Sequence, residues 1–540
     1  MTDNVPALPR RSFLTMLPAA LALTACSAPL QESTRDVHLV SDVGEVLDVR
    51  DFGAVGDGIH DDSVAIGNAV SELESGGVLR FPLGTYRFAQ RHPTGDAAIS
   101  ITGFSDVSID FDAGAELLMD NLDVDGAGTS HGIVLRGPLE RISLRNVTVR
   151  WATQPALRSM GDGIRVVGYP SETLTVAAGW TGSQGPAAGV MLLNCRVESS
   201  PQAGVIMMGV SDVTVDGLHV EKTMADGLHF NACRRGTIER FSATNTGDDG
   251  LALVTYYSAA AGYDNASETF SFPALGEWSN TDFDVTDVQV SGGAANGVRL
   301  AGVNRSTVTG VAVNGVSNGA GVMVDSASID SGAGWHYVAS RGVRLDGLTV
   351  ADSQTGLHVL ARPNGSTGDS FSRFDLDVTG VTVSDSLSWS VLVESIANPP
   401  VAGVRLGDCT VTDTEIAQGV GAVGLQRTQD VSLGTVSVTS AKSGLAFSAD
   451  NSAQFAIDQL SVQVTGPQLG SEDGPFAVIQ GSSGTVVAAD LVWQQAPSSW
   501  LPILIFSDSC VGGSPGNAEV NVGTVTTEPP KAEPIYVACR

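Results

Sequence analysis

Residues 226–253 read DGLHFNACRRGTIERFSATNTGDDGLAL and contain two copies of one short pattern. Asp226-Gly-Leu-His-Phe230 is followed, 23 positions later, by Asp249-Gly-Leu-Ala-Leu253. Each copy joins a polar residue, a glycine and an alternating apolar run, and such alternation is typical of a short β-strand. A repeat of this length indicates a structural unit that stacks on copies of itself.

The same pattern continues along the chain in both directions. It recurs at Ala203-Gly-Val-Ile-Met207, Asn296-Gly-Val-Arg-Leu300 and Ala320-Gly-Val-Met-Val324, so the five first residues lie 23, 23, 47 and 24 positions apart. Short strands at a fixed period predict an all-β parallel solenoid with coils about 4.8 Å apart. A β-sandwich is the alternative, but it gives no reason for a fixed period. The 47-residue interval predicts one insertion, at about residues 256–282.

Stacked coils place equivalent residues in ladders. Alternation predicts that the third residue of each copy points inward, and these residues are Val205, Leu228, Leu251, Val298 and Val322. The fourth residue of each copy is expected to face outward, and this ladder comprises Ile206, His229, Ala252, Arg299 and Met323. The glycines of the pattern, Gly227, Gly250 and Gly297, are expected to leave the surface bare for a ligand.

The charge balance limits the partners. The 540 residues include 59 acidic and 29 basic side chains, for a net charge of −30. Such a surface repels nucleic acids, and a polyanionic substrate would need a basic cluster or a bridging cation. We expect no nucleic-acid partner and a monomer.

The N-terminus resembles an export signal. Arg10 and Arg11 resemble a twin-arginine motif, and Leu23-Thr-Ala-Cys26 resembles a lipobox in which Cys26 is lipidated. A plain export signal with an incidental cysteine is the alternative. We expect a protein exported by the twin-arginine route, attached to a membrane by its lipid alone, as a cell-surface lipoprotein or an extracellular protein.

The remaining cysteines are scattered along the chain. Cys195 and Cys233 follow strand-like runs and are predicted to be buried thiols, while Cys510 and Cys539 are candidates for a disulfide. Their spacing predicts no zinc site.

Two N-terminal motifs resemble a known superfamily. DFGAVGDGIHDDS at residues 51–63 and Phe81-Pro-Leu-Gly-Thr-Tyr86 are similar to the start of the pectate-lyase-like right-handed parallel β-helix proteins. The resemblance implies a right-handed parallel β-helix and a capping helix over residues 63–74. It implies turn and helix-cap roles for Asp57, Asp61 and Asp62. The expected layout is a signal at 1–26, a linker at 27–45, an N-terminal cap at 46–90, the β-helix at 91–500 and a C-terminal cap at 501–540.

Three aspartates crowd one face of the predicted solenoid. Asp226 and Asp249 are ladder equivalents on successive coils, and Asp248 stands one position earlier, beside Ala225. Stacked carboxylates repel and raise one another's pKa, so a stack without a visible compensating charge indicates function. A calcium site and an inert acidic turn are the alternatives. Two carboxylates that activate a water and a third that donates a proton fit inverting glycoside hydrolysis. Asp226 and Asp249 are the candidate bases and Asp248 the candidate acid, with no metal or cofactor expected.

The acid cluster also resembles two hydrolase families. Family 28 polygalacturonases carry Asn-Thr-Asp on one coil and Gly-Asp-Asp on the next, which resembles Met224-Ala-Asp-Gly227 and Thr246-Gly-Asp-Asp249. Their Gly-His-Gly is replaced here by Ala295-Asn-Gly297, and no basic residue stands near Gly321–Val324 in place of their Arg-Ile-Lys. The run Asn245–Leu253 with Asn296–Gly302 more closely resembles family 87 α-1,3-glucanases. The resemblance implies a neutral, α-glucan-type polysaccharide.

The predicted substrate-binding residues are His229, Asn296 and Arg299 on the coils of the acids, and Tyr256 and Tyr257 in the insertion. Each has a simpler alternative: His229 as a surface histidine, Arg299 as an ion-pair partner of Asp249, and the insertion aromatics as packing against the solenoid.

Two rival functions share this scaffold. A polysaccharide lyase or a polygalacturonase would act on polyuronates, and the lyase would use calcium and a basic residue near the acids. Only Arg234, Arg235 and Arg299 qualify by sequence. A non-catalytic, carbohydrate-binding surface β-helix is the third hypothesis, since this fold serves many functions.

Overall fold

The computed structural model describes residues 44–539 except 171–184, 265–267, 317, 366–367, 413–419, 442–443, 467–473, 508–509, 512–513 and 516–518. The predicted export signal, Cys26 and the predicted linker up to residue 43 lie outside the described residues. Within the described part, no helix is long and apolar enough to cross a membrane.

One parallel sheet of 15 strands runs through the described part, one strand per coil. In chain order its strands are Ala97–Thr102, His131–Arg136, Ile164–Val167, Val205–Met208, Leu228–Asn231, Leu251–Val254, Val298–Ala301, Ala320–Ala327, Thr355–Arg362, Val391–Ser395, Gly421–Gln426, Leu445–Asp450, Ala477–Gln480, Ile503–Ser507 and Ile535–Cys539.

A second sheet of 24 strands supplies the other faces of the coils. Its strands are Val46–Asp48, Asp57–Asp61, Val78–Phe81, Thr85–Phe88, Ser108–Phe111, Glu116–Met119, Leu139–Arg145, Thr148–Trp151, Ala187–Leu193, Arg196–Glu198, Val210–Asp216, His219–Glu221, Arg234–Thr244, Thr281–Ser291, Asn304–Asn314, Arg341–Ala351, Arg373–Ser384, Val401–Leu406, Cys409–Thr412, Thr428–Gln429, Ser432–Ser440, Phe455–Val464, Gly484–Trp493 and Val520–Glu528.

The other elements are short. One α-helix covers Ser63–Ser71, and two 3-10 helices cover Val49–Phe52 and Gly368–Phe371. Two small sheets contain, respectively, Tyr256–Tyr257, Gly262–Asp264 and Thr269–Phe272, and Cys510–Val511 and Ser514–Pro515. The parallel β-helix predicted from the repeat is confirmed.

The register confirms the predicted inward ladder. Val205, Leu228, Leu251, Val298 and Val322 pair in succession, and each is at most 1% exposed. Because Leu251 pairs directly with Val298, the 47-residue interval is one coil with an insertion, as predicted. Apolar side chains stacked at each level bury a continuous core, which stabilises a solenoid through contacts between neighbouring coils.

Long strands of the 24-stranded sheet bend at one aligned position. Arg240, Asp287, Gly310, Gly347 and Gly380 occupy it on successive coils, and all have positive φ, between 52° and 68°. Glycine adopts this backbone conformation without strain, which explains why it fills the position on three successive coils.

The glycines of the repeat have a different role from the one predicted. A Cβ on Gly227 would lie 2.5 Å from Gly250 O, and one on Gly250 would lie 2.6 Å from Gly297 O. Side chains of Ala243 and Val290 lie against the same positions. The missing side chains therefore let coils pack closely inside the solenoid, and the expectation that these glycines bare an outer surface for a ligand is wrong.

The N-terminal acids serve local structure, as expected. Asp57 accepts hydrogen bonds from the N–H groups of Ile59 and His60, and Asp62 from those of Val55 and Gly56. Asp61 bonds the first helical residue, Ser63.

The cysteines also follow the sequence prediction. Cys195 and Cys233 are buried free thiols, and so is Cys409. Cys539 is disulfide-bonded, whereas the side chain of Cys510 lies outside what the structure describes.

Candidate functional site

Three aspartates meet at the N-terminal ends of two neighbouring strands of the 15-stranded sheet. Asp226 and Asp249 precede Leu228–Asn231 and Leu251–Val254, and Asp248 stands one position earlier. One carboxylate oxygen of each acid lies within 4.8 Å of one from each of the others. Asp249 is 3% exposed and Asp226 9%, whereas the Asp248 side chain is 36% exposed. The predicted cluster therefore forms, with one member open to solvent.

Two of the acids also join successive coils. Asp226 Oδ1 accepts the backbone N–H of Asp249 (3.0 Å), and Asp249 Oδ1 accepts that of Asn296 (3.0 Å). Asn296 Oδ1 accepts the N–H of Ala320 (2.9 Å) in the same way. An amide thus performs this structural task as well as a carboxylate, and Asp248 lies outside the ladder. Coil stacking does not explain why the three residues are acids.

The exposed acid has a partner that the sequence did not reveal. Arg158 Nη1 donates to Asp248 Oδ2 at 2.8 Å, and the Arg158 side chain is 51% exposed. Arg158 Nε also donates to Gln202 Oε1 (2.9 Å). Arg158 lies 90 positions before Asp248, and no local pattern marks it. The expectation that basic residues near the acids are limited to Arg234, Arg235 and Arg299 is therefore wrong.

The cluster favours a bound proton. Burial raises the pKa of Asp249 to about 7; Arg299 opposes this rise, whereas the carboxylates of Asp226 and Asp248 add to it. Burial and the charge of Asp226 also raise the pKa of Asp248, although its hydrogen bond with Arg158 opposes them. Carboxylates this close compete for the same protons, because like charges cannot all ionise at little cost.

Arg299 belongs to a buried ion network beside Asp249. Its Nη1 lies 3.8 Å from Asp249 Oδ2, which confirms the simpler alternative of an ion pair. Its stronger partner is Asp325, which accepts from Arg299 Nη2 and from Arg362 Nη1, each at 2.9 Å. Asp325 was missed, although an acid inside the apolar strand Ala320–Ala327 is a visible signal.

Asn296 and His229 hold the acids from either side. Asn296 Nδ2 donates to Asp249 Oδ1 at 2.7 Å, and His229 Nδ1 donates to Asp226 Oδ2 at 2.8 Å. His229 is only 6% exposed, so it is not a surface histidine. Substrate contact by Asn296, His229 or Arg299 stays a prediction, since their resolved partners are the acids and Asp325.

The outward ladder is aligned as predicted but is covered at two positions. His229 is buried, and Ala252 is fully buried in a small apolar cluster with Val254 and Tyr337, separate from the main core. The cover comes from the insertion and from the segment 328–340. The ladder points outward from the solenoid, as predicted, but other segments cover it at these coils, because period-2 patterning does not show what packs on the outside.

The aromatic residues of the insertion form two groups: Tyr256 lies at the site, and the others pack against the rest of the protein. The Tyr256 ring lies parallel to His229, with centroids 6.5 Å apart, whereas Tyr257 packs edge-on against Phe371. Phe270 and Trp278 are 0% and 6% exposed and pack on the solenoid. Tyr256 therefore lies beside His229, the histidine that binds Asp226, and substrate contact by Tyr256 or Tyr257 stays a prediction.

The acid spacing is also compatible with a cation, but protein donors occupy much of the cluster. Both oxygens of Asp226 and one each of Asp248 and Asp249 accept hydrogen bonds from protein groups. Asp249 Oδ2 faces the Arg299 guanidinium. This donor set fits poorly with calcium, which takes six to eight oxygen ligands.

The fold and N-terminal motifs define a parallel β-helix protein with a pectate-lyase-like beginning. A family described as rhamnogalacturonase A/epimerase, pectate lyase-like, matches residues 46–94. This match confirms the resemblance inferred from residues 51–63 and 81–86. No curated protein sequence matches the chain significantly.

Three solved structures are similar over most of the chain. The catalytic unit of a thermostable family 87 α-1,3-glucanase from Streptomyces thermodiastaticus is 16% identical, with 92% of this chain and 69% of that chain covered and a TM-score of 0.41. A family 28 exopolygalacturonase from Yersinia enterocolitica is 12% identical (89% and 78% covered, TM-score 0.38). A surface adhesin of Streptococcus pneumoniae is 13% identical (91% and 93% covered, TM-score 0.38). Similarities at this level assign neither substrate nor reaction.

Proposed function

We propose that the protein is an inverting glycoside hydrolase that acts on a neutral, α-glucan-type polysaccharide. The observation that carries the proposal is the cluster of three aspartates, two of them buried and one open to solvent, with protons favoured on Asp248 and Asp249. Such perturbed carboxyl groups are characteristic of acid–base catalysis.

Accessibility supports Asp248 as the general acid. Its side chain is 36% exposed, so it can reach the leaving oxygen of a bound sugar. Its raised pKa favours the protonated form that a general acid requires. Burial also raises the pKa of Asp249, to about 7, but Asp249 is 3% exposed, so its proton is poorly placed for direct transfer to a large substrate.

Asp226 and Asp249 are proposed to hold and deprotonate the water. The two oxygens of Asp226 bind Asp249 N and His229, and Asp249 Oδ1 accepts two hydrogen bonds from Asn296. Carboxylates restrained in this way are better suited to orienting water than to attacking a sugar carbon. One oxygen of each acid lies within 4.8 Å of one oxygen of each of the others. This separation is shorter than the about 6.5–9.5 Å usual for inverting centres and closer to the about 5–5.5 Å of retaining ones, so the spacing counts against inversion and the anomeric configuration of the product is the deciding measurement.

Charge supports a neutral substrate. The net charge of −30 and the three clustered acids repel a polyuronate. One observation favours the alternative of a polyuronate lyase or polygalacturonase: Arg158 places a cation beside the acids. In the structure that guanidinium is paired with Asp248.

The proposed location follows from the N-terminal motifs. The twin-arginine motif and Cys26 suit export to the site of an extracellular polymer and attachment there by a lipid.

An activity screen separates the three hypotheses. Purified protein is incubated with neutral α-glucans and with polyuronates, with and without a chelator. We expect chelator-resistant release of reducing ends from a neutral glucan. Calcium-dependent release of unsaturated products from a polyuronate would establish a lyase instead, and binding without cleavage would establish the non-catalytic β-helix.

Substitutions and stereochemistry test the assigned roles. Replacement of any of the three acids by Asn should lower kcat by roughly 10²–10⁴. Activated leaving groups should partly rescue Asp248→Asn but not Asp226→Asn or Asp249→Asn, because only the former lacks leaving-group protonation. NMR of the first product should show an inverted anomeric centre, and retention would contradict the mechanism.

A further inference from the structure

We propose that Trp335 is the stacking platform of a subsite for a neutral hexose ring, next to the three acids. The subsite rests on the proposed hydrolase function and assigns part of its substrate recognition to the segment 328–340. No repeat or motif marks this residue in the sequence.

Trp335 is exposed where comparable residues are buried. It is 48% exposed, whereas the other tryptophans whose structure is described are at most 7% exposed; these are Trp151, Trp278, Trp389, Trp493 and Trp500. Leaving a large aromatic surface in water forgoes the free energy of its burial. Exposed aromatic residues beside a functional site often provide ligand contacts.

Contacts between side chains connect Trp335 to the acids. The centroids of Trp335 and Tyr256 lie 5.0 Å apart, and Tyr256 lies 6.5 Å from the His229 ring. His229 donates to Asp226 at 2.8 Å. Trp335 is therefore connected to Asp226 through Tyr256 and His229, and the proposed subsite would hold a sugar unit that lies along the polysaccharide from the bond at the acids.

The backbone that directly follows Trp335 is anchored. His336 O accepts the N–H of Tyr257 at 2.7 Å, and Tyr337 exchanges two 2.9 Å backbone hydrogen bonds with Ala327. A Cβ on Gly332 or Gly334 would meet nothing within 4 Å, so the surface beside the ring is open. An anchored ring with open space beside it binds a ligand at little cost in conformational entropy.

Charges around the platform favour an uncharged sugar. Two half-buried cations of the site, Arg299 and Arg362, are both bound to Asp325. The three catalytic candidates add negative charge to the site. A hexose without a carboxylate can stack on the ring and donate hydroxyl protons to nearby acceptors, whereas a uronate would meet repulsion.

The test measures binding in the absence of turnover. Isothermal titration of the full-length Asp248→Asn protein uses maltotetraose, nigerotetraose and tetragalacturonate. Trp335→Ala and Trp335→Phe are added to this background. Val487→Ala is the control, because Val487 is 55% exposed on the 24-stranded sheet, outside the site. Melting temperatures of all variants check folding.

We expect a neutral tetrasaccharide to bind, with affinity reduced roughly tenfold by Trp335→Ala, less by Trp335→Phe and not at all by Val487→Ala. Unchanged affinity in Trp335→Ala would overturn the subsite while the hydrolase proposal stands. Binding of tetragalacturonate alone would overturn the neutral substrate class. Failure of the wild-type protein to bind or cleave any probe would overturn both the proposed function and the subsite.

Discussion

The substitution Asp249→Asn should make the protein more stable at neutral pH and inactive. Asp249 is 3% exposed, and its pKa rises from 3.8 to about 7 on folding. A group with a raised folded pKa binds protons more tightly in the folded state, so stability falls as pH rises from about 4 to 7. Above pH 7 the folded protein bears the whole unfavourable free energy of this ionised carboxylate.

The size of the effect follows from the difference in pKa. About 3 units at 1.36 kcal/mol each give an upper limit of about 4 kcal/mol. Unfolding entropy of about 2.1 cal/mol/K per residue gives roughly 1 kcal/mol/K for a domain of this length, so Tm should rise by up to about 4 °C. Asn keeps an oxygen to accept the two hydrogen bonds from Asn296, which makes the substitution nearly isosteric.

Calorimetry at pH 4 and pH 8 measures the prediction. The gain in Tm should be present at pH 8 and nearly absent at pH 4. Asp325→Asn is the matched control, because Asp325 is fully buried but its pKa is lowered by Arg299 and Arg362 despite its burial. Its ionised form stabilises the fold above the unfolded pKa, so this variant should lose stability at pH 8. A loss of stability in Asp249→Asn at pH 8, or a gain independent of pH, would refute the electrostatic argument.

Three further predictions concern other parts of the molecule. Arg158→Gln should raise the pKa of Asp248 and so move the alkaline limb of the kcat–pH profile upward by at most about 0.7 pH unit, because an exposed ion pair is worth about 0.2–1 kcal/mol. Arg158→Lys should restore the position of the limb. Movement of the acid limb instead would contradict the role of Asp248. Gly250→Ala should lower the free energy of unfolding, measured with denaturant, by roughly 1–3 kcal/mol, since the new Cβ would lie 2.6 Å from Gly297 O. Gly262→Ala should have little effect, because a Cβ on Gly262 would meet nothing within 4 Å. Cys26→Ala should release the protein from membranes in fractionation, and equally firm binding would exclude the lipid anchor.

Much of the fold was readable from the sequence because a solenoid is nearly one-dimensional. The period and the alternation fixed which residues stack, so the ladder from Val205 to Val322 and the insertion after Leu253 followed directly. Coil equivalence also brought Asp226 and Asp249 together, since neighbouring coils place equivalent positions about 4.8 Å apart. The three candidate acids therefore needed no tertiary structure to be found.

Tertiary structure decided what surrounds those acids. Arg158 reaches Asp248 from 90 positions away, and Trp335 contacts Tyr256 from a segment between two strands. Neither position follows from a repeat, because loops leave the solenoid at irregular lengths and fold back over its surface. The burial of His229 and the pKa of Asp249 depend on the same cover. Local patterning shows which way a side chain points, whereas its exposure and protonation depend on every segment that packs against it.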